Sequence, residues 1–281
     1  MIFQEDQPFR FFSFWDAVEM GLYFVIVGYY FLIFAFFLLM RFRTSKRLYW
    51  LFFSFLFLFL AAGRVFFIGY YFFIPELKGT MTNAALGETL MLWYRLATFF
   101  SWLAVACLMG VLGVLLFPPE TELDTQTEAI DSKKIILTPN LKILIRIILI
   151  VIPVVVGILA LILPDNLFMD PEIIDEYDLD VKLITIAGYP IGRFVLNLIL
   201  LPLFIIAIPV LFIYLATRTY GVLRRSYALN AIGFFIYYTG RALQGIFEVL
   251  SWPHFQSTIP PLIILLSLLI IVIANNYEQL K

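Results

Sequence analysis

Seven stretches of this chain are apolar over lengths that a bilayer demands, and that limits what it can fold into. A spanning helix needs about 20 apolar residues, and runs of this order cover residues 14–40, 48–74, 89–117, 141–163, 183–216, 227–250 and 258–275. In hydrocarbon every backbone polar group must be satisfied within the protein, so such runs read as helices. The predicted fold class is all-α: a polytopic bundle of seven transmembrane helices forming one membrane domain over residues 1–281. Composition agrees, with 63% hydrophobic and 14% charged residues, where soluble domains carry about 25% charged. The last run is short and opens on Pro260-Pro261, a favourable helix start. The fifth contains Pro190, Pro202 and Pro209, which predicts a kink or break, and Pro153 predicts a milder one in the fourth.

Loop charge sets the orientation. With the N-terminus outside, the inner segments hold Arg41, Arg43, Lys46, Arg47, Lys133, Lys134, Lys142, Arg146, Arg218, Arg224, Arg225 and Lys281. The outer segments hold only Arg10, Lys78 and Lys182. This bias predicts a multi-pass protein of the cell membrane, N-terminus outside and C-terminus inside. The start, Met1-Ile-Phe-Gln-Glu-Asp, lacks the basic residues of a signal peptide. The longest inner loop is 118–140 and the longest outer one 164–182, the latter carrying seven acids. The plain reading of that acidic loop is a solvated cap; a calcium site is the sharper one, without EF-hand spacing to support it. Expected partners are membrane lipids and a cytoplasmic protein at the basic inner loops.

Several function classes drop out. Net charge is −1, which gives nucleic acid no electrostatic footing. One cysteine, Cys107, and one histidine, His254, exclude an intramolecular disulfide, a two-histidine haem and a zinc site of histidines and cysteines. No cofactor and no metal are expected. Glu88 and Glu248 form a conceivable acid–base pair, but no nucleophile has a histidine partner, and the chain reads as a non-enzyme. His254 lies in the outer loop Ser251-Trp252-Pro253-His254, where solvation is its expected state.

Charges inside the runs carry the functional argument. Arg64 and Arg241 each follow a glycine deep in an apolar run. An arginine at mid-helix costs about 2.5–3.5 kcal/mol on insertion scales, so it marks a site by default. Other polar residues keep helical spacing: Asp16, Glu19 and Tyr23; Glu88, Arg95 and Thr98; Tyr189, Arg193 and Asn197; Arg241, Gln244 and Glu248. Each set falls on one stripe, and such stripes turn to the bundle interior. The fourth and seventh runs have almost none and read as scaffold or lipid-facing. At ~1.5 Å per residue, Arg64 lies ~22 Å above Tyr49 and Arg241 ~21 Å above Tyr227. The predicted ligand-binding set is therefore Glu19, Arg64, Glu88, Arg95, Arg193, Asn197, Arg241, Gln244 and Glu248, open to the outer side with the two arginines as its floor. Four buried acids against four buried arginines also suit a self-compensating network that only ties helices together. In the pocket reading, arginine receives a small anionic or zwitterionic ligand through its bidentate fork.

A shift of 177 residues lays Arg41 on Arg218, Arg47 on Arg224, Gly63 on Gly240 and Arg64 on Arg241. Either the chain is a 3+1+3 parallel repeat, or apolar helices with basic inner ends simply look alike. The order resembles the SWEET sugar carriers and, in helix number and orientation, rhodopsins and seven-helix receptors. The likeness is architectural: the first two runs lack proline, residues 258–275 lack lysine, and no Asp-Arg-Tyr ends the third run. Three functions follow in order: receptor-like or sensor-like ligand binding, small-solute transport, and a structural or accessory membrane subunit.

Overall fold

The computed structural model describes residues 14–117, 139–186, 188–249 and 252–276. Within them the protein is all-α apart from one two-residue hairpin. Long helices are α1 (Phe14–Ser45), α2 (Leu48–Leu77) and α3 (Asn83–Leu116), then α4 (Pro139–Ile162). Two short helices follow, α5 (Asp165–Phe168) and α6 (Pro171–Tyr177). The chain ends with α7 (Ile191–Arg218), α8 (Gly221–Val249) and α9 (Pro253–Asn276). Six of these helices are long and apolar enough to cross a membrane, which makes this a multi-pass membrane protein. The remaining long helix, α8, has 29 residues but is less apolar, because Arg224, Arg225, Asn230, Arg241, Gln244 and Glu248 all fall on it.

Helix α1 packs between α2 and α9, α2 on α3, α7 on α8, and α8 on α9. A lighter contact between α3 and α7 closes this set into a ring, and α4 lies outside it against α3. Helix α4 exposes Ile147, Val151, Val155 and Ile158 on one face, the pattern of a lipid-facing helix. Helix α9 fits the scaffold alternative better than the lipid-facing one: it buries Ser267, Asn275, Leu268 and Ile271 between α1 and α8, with Leu262, Leu266 and Leu269 exposed on its other face. Its side chains are mostly apolar, and apolar residues alone do not tell lipid from protein.

Helix ends follow local chemistry. Helix α3 starts before its apolar run because the Thr82 hydroxyl caps it, accepting from the Ala85 N–H at 3.3 Å. Helix α7 starts only at Ile191, since Thr185–Ile186 pair antiparallel with Tyr189–Pro190 around Gly188 at φ +84°. Pro190 disfavours helix at the residue before it. The expected irregularity appears as a widened π-type stretch, Phe194–Leu200, just ahead of Pro202. Helix α9 runs through Pro260-Pro261 rather than starting there.

The end of the bundle that holds Arg41 and Asn275 is closed by rings and by a polar clasp. Phe37 meets Trp50 and Phe53 at 5.4 and 5.0 Å, Phe53 meets Phe234 at 6.4 Å, and Phe234 stacks on Phe212 at 5.5 Å. Offset and edge contacts of this kind add to area burial. Beyond these rings, the Asn275 amide donates to the Asn230 side-chain oxygen at 2.8 Å, and the Tyr49 hydroxyl donates to the Asn275 side-chain oxygen at 3.0 Å. Arg41 donates to the Asn275 carbonyl at 3.1 Å and to the Asn276 side chain at 2.8 Å. These bonds join α1, α2, α8 and α9.

Candidate functional site

The two glycine–arginine pairs have the same local construction. A Cβ at Gly63 would stand 3.2 Å from the Ala97 carbonyl and 3.3 Å from the Ser101 hydroxyl, so α3 lies directly on α2 there. A Cβ at Gly240 would stand 3.1 Å from Ile263 and Ile264 and 3.3 Å from the Pro260 carbonyl, so α9 lies on α8 likewise. Small residues let helices approach in lipid, and the arginine one position on is held at a helix contact. Gly63→Leu therefore forces α2 and α3 apart and is expected to cost about 1–3 kcal/mol, as overpacking does. Chemical unfolding in detergent measures it, and an unchanged midpoint would contradict this packing.

Arg64 is 5% exposed, and its guanidinium carbon sits 4.3 Å from the centre of the Tyr23 ring. Tyr30, Tyr237 and Tyr71 complete its electrostatic surroundings. The Tyr23 hydroxyl donates to Glu19 at 2.5 Å, and the Tyr30 hydroxyl to that of Tyr237 at 3.4 Å. Tyr23 and Tyr30 lie within electrostatic reach of Arg241 as well as Arg64, so the two guanidiniums share one tyrosine-lined centre. Arg241 has the Phe67 ring 6.0 Å from its guanidinium carbon. Among the described residues no carboxylate comes within 4.0 Å of either arginine; the recorded ion pairs are elsewhere. Glu19 reaches the centre through Tyr23.

On the Phe234 side of Arg241 lies a cavity of about 80 Å³. Its walls are apolar side chains of α2, α3, α7, α8 and α9, such as Leu60, Ala104, Ile208 and Leu268, and its polar lining is Ser101, Tyr237 and Arg241. The sequence placed a cavity above the arginines and dry packing beneath them; this cavity lies on the side expected to be dry.

Arg95 and Arg193 belong to a different construction. Arg95 donates to the Leu161 carbonyl at 2.7 Å and pairs with Asp165 at 2.6 Å. Arg193 donates to the Phe168 carbonyl at 2.6 Å, pairs with Asp170 at 2.5 Å and lies 3.9 Å over the Tyr94 ring. Gly192 makes this possible, because a Cβ there would stand 2.7 Å from the Leu167 carbonyl. Phe168, Met169, Ile173 and Tyr177 are buried beneath α5 and α6. The acidic segment is thus a cap clipped down by two arginines, with Asp175, Glu176, Asp178 and Asp180 exposed on it, as a solvated cap requires. Lys78 adds a surface contact to Glu176 at 3.4 Å. Burial, with Glu176 alongside, pushes the Tyr177 phenol up to about 12. Among the described residues no group of three or more histidine, cysteine, aspartate or glutamate side chains is placed to hold a metal ion.

The predicted set therefore divides. Glu19, Arg64 and Arg241 come together through tyrosines. Arg95 and Arg193 serve the cap. Glu88 is exposed at the outer end of α3, apart from both. The side chains of Asn197, Gln244, Glu248 and His254 lie outside the described residues, as do inner-loop residues 118–138. Sequence reasoning missed Asp165 and Asp170 as partners, and Tyr30, Asn230 and Asn275. Tyr30 carried a signal, since it follows Tyr23 at i+7 on the same stripe. Comparison with protein-family models, curated proteins and solved structures gives no match.

Proposed function

We propose that this chain is a seven-span protein of the cell membrane, N-terminus outside, that binds a small anionic or zwitterionic ligand in a receptor-like or sensor-like manner. One observation carries the reading: Arg64 and Arg241 share a centre with no carboxylate within 4.0 Å of either among the described residues. Two cations in low dielectric repel one another and are costly to bury without counter-charge. An arriving anion relieves that cost and finds a fork of N–H donors. Helix α8 supplies the seventh span in this reading, its polar stripe turned inward.

Arg241→Gln keeps donors and removes charge, so it is expected to weaken anion binding more than folding. Titration calorimetry and thermal unfolding in one detergent preparation measure both. Loss of melting temperature with no anion binding by either protein would support the accessory-subunit reading instead. Topology has its own test. With single cysteines in place of Ser45 and Asp175, only the second is expected to react with an impermeant maleimide in intact cells, and outer labelling at position 45 would reverse the orientation.

A second reading, small-solute transport through a 3+1+3 repeat, draws support from Gly63 and Gly240, each of which seats the helix that follows its own. Flux of a bound anion into proteoliposomes separates a carrier from a receptor.

A further inference from the structure

We infer that the site takes a short-chain monocarboxylate, with its carboxylate between Arg241 and Tyr237 and its apolar tail in the cavity below. The inference rests on the reading of Arg64 and Arg241 as an anion centre and names the ligand's chemistry. Three features of the cavity select that class.

The first is polarity. Arg241 and Tyr237, one turn apart on α8, and Ser101 on α3 are its polar lining residues and fall at one end of the lining, where we place the carboxylate. Leu60, Ala104, Ile208 and Leu268 make the rest apolar. An inorganic anion leaves that apolar space unfilled and must shed its water against hydrocarbon, which is unfavourable for a charge. An amphiphile satisfies both ends.

The second is charge sign. No acid is among the described residues lining the cavity. An ammonium group bound there would be desolvated without a counter-charge, so a free amino acid fits worse than a plain carboxylate. A neutral amide keeps the shape but forgoes the charge-assisted bonds that make carboxylate–arginine contacts roughly twice as strong as neutral ones.

The third is size. An apolar protein cavity of 150 Å³ takes benzene, so about 80 Å³ suits a tail of roughly three or four carbons. A longer acyl chain would have to run out of the cavity, so the ligand is a small soluble carboxylate, with a membrane fatty acid as the competing occupant.

The test is calorimetry on the full chain in phosphatidylcholine nanodiscs with six probes: acetate, butyrate, butyramide, alanine, inorganic phosphate and dodecanoate. Butyrate is expected to bind at least tenfold more tightly than each of the other five. Ala104→Leu, which fills the cavity, is expected to lower butyrate affinity at least tenfold with its unfolding midpoint kept; Leu60→Phe is the second filler if Ala104→Leu does not fold. If phosphate and acetate bind as well as butyrate and Arg241→Gln abolishes both, the tail assignment is overturned and the anion centre stands. Binding of dodecanoate with butyrate silent overturns the soluble ligand in favour of a lipid chain. If no anion binds and Arg241→Gln alters only stability, the inference and the anion centre fall together.

Discussion

Arg193→Met is expected to destabilise the protein by about 3 kcal/mol, the low end for removing one partner of a buried pair. The guanidinium makes three contacts at once: the Asp170 carboxylate, the Phe168 carbonyl and the face of Tyr94. Its side chain is 12% exposed and that of Asp170 is 31% exposed, so water replaces only part of what is lost. Methionine matches the length and removes the charged donor that the Asp170 carboxylate and the Phe168 carbonyl share. Most of the cost is the carboxylate charge left behind, so a second change should recover it. Arg193→Met with Asp170→Ala is expected to regain at least half of the loss, which a double-mutant cycle by chemical unfolding reads directly. If the double variant is no more stable than Arg193→Met alone, the pair is not what holds the cap. Proteolysis in the outer segment gives an independent readout, because α5 and α6 lose their anchor to the head of α7.

The cap also shows which features the sequence could and could not convey. Apolar runs are a local signal, so the long helices were legible from residues 14–40 onward without knowledge of their neighbours. Arg64 was legible as an interior residue because its cost in lipid leaves few alternatives. The partners of Arg95 and Arg193 were not, because Asp165 lies 70 positions from Arg95, and Asp170 23 positions from Arg193, across a turn whose path no periodicity encodes. The acidic run was visible, but which of its seven acids turn inward depends on Gly192 allowing close approach to Leu167. The clasp of Asn230 and Asn275 spans 45 positions and was hidden for the same reason. The cavity left no trace, since leucines that line a void read like leucines that fill one.

Balanced numbers of acids and arginines misled in one respect. Equal counts suggest a closed network, yet two of the arginines spend their pairing on the cap. That leaves Arg64 and Arg241 among tyrosines, whose ring faces and hydroxyl oxygens attract a cation without neutralising it. The distinction between glue and site then becomes measurable at the more buried of the two.

Arg64→Met is expected to leave the unfolding midpoint unchanged or raised, while anion affinity falls at least tenfold. Replacing a buried ionic group by an apolar one of similar volume is often neutral or stabilising by about 1–4 kcal/mol when no counter-charge is stranded. Here none is stranded within 4.0 Å among the described residues, and Tyr23 retains its bond to Glu19. What the substitution removes is a ring contact at 4.3 Å, worth about 2 kcal/mol at a desolvated position, set against relief from burying a charge and from repulsion by Arg241. The balance falls near zero or on the side of methionine. Where the anion is held by both cations of the centre it loses one of them, and a charge-assisted contact of about 1.5–3 kcal/mol corresponds to a factor of ten or more; an unchanged affinity would leave Arg241 and Tyr237 alone as the anion's donors. Thermal unfolding with and without the anion, followed by calorimetry, measures both quantities on one sample. A glue role predicts the reverse pattern, with a lowered midpoint and no binding to lose, and that result would remove Arg64 from any site.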